Sequence, residues 1–118
     1  MTKMTDIRHP TTDNRELNVV SECRNLFFIL KENVEKRTDY YLWQHVLKTL
    51  ISVGSNLAEG NKRGSKEQIR FIRIAEGSMS EFEFQFSLLQ IYDDKMYDKI
   101  DKIKAMIYKL RESVVRGR

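Results

Sequence analysis

Cysteine, histidine and proline are scarce in this chain, and each shortage removes a class of chemistry or fold. One cysteine, Cys23, among 118 residues excludes an internal disulfide and points to a reducing, cytoplasmic setting. A structural zinc site needs four Cys or His ligands, more than Cys23, His9 and His45 supply. A di-metal bundle site needs Glu-x-x-His pairs, but Asp6 and Leu42 stand three residues before the two histidines. We therefore expect no metal and no other cofactor. A single proline and five glycines are few for a loop-rich β protein. No apolar run approaches the roughly 20 residues that span a bilayer, so no membrane association is expected. Met1 to Thr12 lacks the continuous apolar region of a secretory signal. Motifs for acyl transfer or phosphate loops are missing too, and the Gly60 to Ser65 turn has no strand before it.

What the chain does have is helical periodicity. With 41% hydrophobic and 32% charged residues it fits one folded domain, which we place at 13–118 behind a flexible tail of residues 1–12. Asp13 can cap a first helix, with Glu16 completing a capping box. Its stripe is Val19, Cys23, Leu26 and Leu30, which makes Cys23 a small buried hydrophobe rather than a nucleophile. Thr38 or Asp39 can start a second helix with the stripe Trp43, Val46, Leu50, Val53 and Leu57. A neighbouring row, Leu47, Ile51, Gly54 and Ala58, is wider than one packing partner requires. That helix is either central in its bundle or packed against another subunit. Gly60 is placed to end it in a left-handed conformation, with Asn61 to Gly64 as the turn. Ser65 with Gln68 reads as a second capping box. Helix three carries Ile72, Ala75, Met79, Phe82, Phe86 and Leu89, with Phe71, Ile74, Phe84, Leu88 and Ile91 beyond that stripe. Asp94 can cap helix four, whose stripe is Met96, Ile100, Ile103, Ile107, Leu110 and Val114. These patterns predict an all-α, antiparallel up-down-up-down four-helix bundle.

Two polar segments interrupt the pattern: Ser55-Asn56-Leu57-Ala58-Glu59-Gly60 and Ile74-Ala75-Glu76-Gly77-Ser78-Met79-Ser80-Glu81. Glycine inside a helix costs about 1 kcal/mol relative to alanine, and Ser and Asn compete for backbone hydrogen bonds. Such positions suit close packing, a polar network or a binding surface. We expect Ser55, Asn56 and Glu59 to join Ser78 and Glu81 in a network that fixes the helix two to three turn, with Gly77 permitting close backbone approach. Glu59, Glu76, Glu81 and Glu83 could also bring carboxylates together for acid–base work. The simpler reading pairs them with Arg63, Arg70 and Arg73, and no enzymatic activity is expected.

The net charge of +4 is uneven. Residues 1–59 hold eight Lys/Arg against eight Asp/Glu, whereas residues 60–118 hold thirteen against nine. Lys62, Arg63, Lys66, Arg70 and Arg73 cluster around one turn, and Arg111, Arg116 and Arg118 lie toward the C-terminus. Such a cluster attracts phosphates without regard to sequence, or it is simply a solvated surface.

At Ser55 to Gly60, Arg63, Ser65, Phe71, Ile74 to Ser78 and Glu81 the chain resembles the bacterial four-helix-bundle proteins. These are also called rRNA intervening-sequence proteins, because some are encoded within insertions in large-subunit rRNA genes. The resemblance is dense from about Tyr40 to Phe86. Members typically have Phe-Pro before helix two, where this chain has Arg37-Thr38-Asp39. The resemblance implies a four-helix bundle assembled into a ring, a homopentamer in related members, and no enzymatic activity. Its superfamily includes the accessory variability protein of diversity-generating retroelements, which binds a reverse transcriptase and its template RNA. Two expectations follow. The first is an RNA-binding accessory oligomer that uses Lys62, Arg63, Lys66, Arg70, Arg73 and Arg111. The second is an adaptor that docks a protein such as a reverse transcriptase.

Overall fold

An apolar stripe repeated every three to four residues has one stable use in water, burial against similar stripes. The computed structural model describes residues 14–32 and 39–117. It places four helices there and no strand: α1 (Asn14–Lys31), α2 (Tyr40–Asn61), α3 (Ser65–Leu88) and α4 (Asp94–Val115). The expected tail 1–12, the Asp13 cap and Thr38 lie outside the described residues.

Each helix packs against its neighbours in sequence, and α4 closes back onto α1, an order compatible with a four-helix bundle. The pairing is antiparallel. Ser52 meets Ser78 and Gly60 approaches Phe71, while Glu83 reaches Lys104 and Glu76 reaches Arg111. Every residue of the four predicted stripes is buried, with Trp43, Phe82 and Phe86 the largest of the fully buried side chains. Phe82 and Phe86 stack at 5.9 Å between centroids, and Tyr97 of α4 meets Phe86 edge-on at 5.3 Å. The surplus apolar residues behave differently. Leu47 is buried, but Ile51, Ile74, Phe84 and Leu88 are between 41% and 65% exposed, so they face away from this core.

Helix ends depart from expectation in three places. Gly60 is helical rather than left-handed: α2 runs on to Asn61 and closes with Lys62 in a right-handed conformation. Glycine is needed there for space, because a Cβ at Gly60 would stand 3.0 Å from Phe71 Cβ. Gly64, rather than Ser65, is the α3 N-cap, and its carbonyl accepts from the Gln68 N–H at 2.8 Å. That moves Gln68 past the capping-box position, into a buried site, and puts Glu67 in the first turn where its charge suits the helix dipole. Asp93, rather than Asp94, caps α4. Its extended backbone lets its carboxylate accept from the N–H groups of Lys95 and Met96 at 2.9 and 3.3 Å. Among the described residues positive φ occurs at Gln90 and Gly117, just past the ends of α3 and α4.

Gly77 also departs from the close-approach reading. It is exposed, and nothing lies within 4 Å of where its Cβ would be. The two glycines therefore respond oppositely to alanine. Gly77→Ala should stabilise the chain by about 1 kcal/mol through helix propensity. Gly60→Ala should destabilise it by about 1–2 kcal/mol through overpacking against Phe71. Urea unfolding of the two variants checks both signs.

Candidate nucleic-acid interface

The α2–α3 connection is only Lys62-Arg63-Gly64, because Lys62 and Arg63 tighten the end of α2 with N–H bonds to the carbonyls of Glu59 and Gly60, each 3.1 Å. Such a short turn crowds the basic residues that flank it. Lys62, Arg63, Lys66, Arg70 and Arg73 are all exposed. Two of the five already have carboxylate partners. Arg63 donates through Nε and Nη2 to Glu59 Oε2 at 3.1 and 2.7 Å, and Arg70 Nη2 donates to Glu67 Oε1 at 3.1 Å. The Arg63 hydrogen bond is the main reason the Glu59 carboxyl is held below its ordinary range. Both guanidinium groups also lie over Phe71, with Cζ 5.4 Å from the ring centroid for Arg63 and 4.8 Å for Arg70. Among the described residues, Lys62, Lys66 and Arg73 have no ion-pair partner.

Arg111 does not join this cluster. It bridges α3 and α4, with Nε donating to Glu76 Oε2 at 2.8 Å and Nη1 to Glu112 Oε2 at 3.1 Å, its guanidinium 5.2 Å from the Tyr108 ring centroid. The Glu76 hydrogen bond raises its pKa further still. A guanidinium so engaged is a strut between helices.

The polar motif separates into pieces. Its α2–α3 link runs through Ser52 Oγ, 2.9 Å from Ser78 Oγ. Asn56 Nδ2 donates to the Ser52 carbonyl at 2.8 Å and to Ser52 Oγ at 3.3 Å. Ser52 was not among the expected members, although its place one turn before Asn56 puts both on one helix face. Ser55 faces the other way, lining an apolar groove of about 320 Å³ between α1 and α2 with Phe27, Phe28 and Ile51. Glu59 turns to Arg63, and Glu81 is exposed. Gly60 and Phe71 form a separate packing contact.

Of the glutamates, Glu76 and Glu83 line one pocket between α3 and α4 together with Lys104. Glu59, Glu76 and Glu83 face Arg63, Arg111 and Lys104 in turn. Among the described residues no three His, Cys, Asp or Glu side chains cluster as a metal would require. None of their helices is long and apolar enough to cross a membrane. Cys23 is buried, and burial first, then the Glu22 charge, pushes its thiol from 9.0 up to about 12. A raised folded-state pKa makes its stability contribution complete below pH 9.0 and lost as pH rises toward about 12.

A family model described as 23S rRNA-intervening sequence protein matches residues 15–114. None of the curated proteins and none of the solved structures compared with the chain matches it.

Two outcomes follow from this geometry. Asn56→Ala, which removes both bonds to Ser52, should lower stability by about 1 kcal/mol, while Glu59→Ala leaves the urea midpoint unchanged. Cys23 should resist a disulfide reagent at about pH 8 in the folded chain and react promptly once urea unfolds it; thiol titration with and without urea measures this.

Proposed function

The chain belongs to the family of 23S rRNA-intervening sequence proteins, and on that footing we propose a non-enzymatic, cytoplasmic RNA-binding accessory protein that works as a homo-oligomer. The observation that carries this reading is the α2–α3 turn, where five exposed cations converge within twelve residues, from Lys62 to Arg73. Lys62, Lys66 and Arg73 supply unpartnered charge, and Arg63 and Arg70 supply guanidinium forks held in place. Contacts of this kind grip the phosphate backbone and position an RNA without reading its bases. Arg111 bridges Glu76 and Glu112 and is only 23% exposed, so it offers a strand less than the exposed cations of the turn.

The exposed face of α3 supports the oligomer. Ile74, Gly77, Glu81, Phe84 and Leu88 follow a three-four spacing and form one outward stripe, beside which no other described helix packs. The homopentameric ring implied by the resemblance would cover such a stripe with a second copy. The same stripe favours a second reading, an adaptor whose face receives a protein partner such as a reverse transcriptase.

Charge reversal separates the two. Replacing Lys62, Lys66 and Arg73 by Glu should abolish binding to a labelled single-stranded RNA and leave a protein partner bound. Three phosphates neutralised on a single strand give a salt slope of about −2, so wild-type affinity should fall roughly tenfold or more between 50 and 200 mM salt. Salt-insensitive RNA binding, or full binding by the triple variant, would overturn the proposal. Light scattering of the purified chain, with absorbance at 260 and 280 nm, reads subunit number and bound nucleic acid together.

A further inference from the structure

The five cations of the turn are not equivalent. Three have no ion-pair partner among the described residues, while Arg63 and Arg70 each have two contacts, a carboxylate and the face of Phe71. Phe71 is itself seated against the bare backbone of Gly60. The chain of causes runs from a missing Cβ, to a ring position, to two guanidinium groups held within reach of one ring.

Resting on the RNA-binding reading above, the geometry points to Phe71 as a positioning residue that sets Arg63 and Arg70 as a preformed pair of forks for a phosphodiester strand. Glu59 takes Nε and Nη2 of Arg63, and Glu67 takes Nη2 of Arg70. The Nη1 donors of both arginines therefore remain for phosphate oxygens. Holding long side chains in place beforehand removes the ordering cost that binding otherwise carries. Lysine cannot substitute, because its ammonium is a point charge without a planar fork and does not stack on the ring in the same way. The site is thus defined by guanidinium geometry as well as by charge. The lysine exchange therefore tests the forks, and removing the Phe71 ring with all five cations kept tests their positioning, which unchanged affinity in that variant would overturn.

The experiment is fluorescence anisotropy of the full chain with a labelled single-stranded RNA, comparing wild type with Arg63→Lys/Arg70→Lys and with Phe71→Leu. The double lysine variant keeps every charge and alters only exposed side chains, so its folding is not in question. It should bind about tenfold more weakly. Phe71→Leu keeps all five cations and should also weaken binding, with circular dichroism confirming its helices. Equal affinity for wild type and the double lysine variant would overturn the preformed pair while leaving RNA binding by charge intact. Wild type failing to bind any RNA would remove the RNA-binding reading itself, and this pair with it.

Discussion

The approach of α3 to α2 at Gly60 is the constraint from which the rest of this structure follows. A carbon atom added at Gly60 would stand 3.0 Å from Phe71 Cβ, so the two helices meet here with backbone against side chain. About two turns further along, the same helices touch through the hydroxyl groups of Ser52 and Ser78. Between these two contacts the apolar stripes of α2 and α3 are held in register, with Val53 and Leu57 buried from one side and Ile72 and Ala75 from the other. The three-residue connection is short because the ends it joins are already close. Its charge density is therefore a by-product of packing, since a longer loop would spread the same cations apart.

Charge in this molecule has two uses that sequence alone does not separate. Along α3 and α4, Glu76–Arg111 and Glu83–Lys104 tie the helices laterally, with N···O distances of 2.8 Å in both pairs. Lys102 and Glu22 do the same between α4 and α1. These partly exposed pairs select a register more than they add stability. Around the α2–α3 turn the pairs are local, one helical turn apart, and span no helix interface. Among the described residues they leave Lys62 and Lys66 without an ion-pair partner.

How legible all this was depended on the range of the interaction concerned. Burial at Leu50, Phe82 or Ile107 follows from a repeating pattern, and repetition averages over errors at single positions. A cap is decided by one residue, and the neighbours Asp93 and Asp94, or Gly64 and Ser65, differ only in which backbone is extended. Gly60 was readable as special but for the wrong physical reason, since a conformational and a steric need for glycine look identical in sequence. Arg111 could not be told from Arg70 by position, because its partner Glu76 lies 35 residues away. Ser52 looked ordinary on the chain, and its importance comes from Ser78, 26 residues on. The resemblance to the intervening-sequence proteins was visible in the unusual helix-interior residues, and the family match over residues 15–114 agrees with it.

The order of contacts also bears on how the chain reaches this state. Each helix packs chiefly against the next in sequence, and the closure of α4 onto α1 joins distant segments. Topologies dominated by such near-neighbour contacts fold quickly, because little loop entropy must be lost before packing is gained. The α2–α3 hairpin carries its own steric lock at Gly60 and its own hydroxyl bridge at Ser52, neither of which needs α1 or α4. The turn with its five cations thus belongs to a part of the molecule whose contacts close locally, without the long-range pairing of α4 with α1.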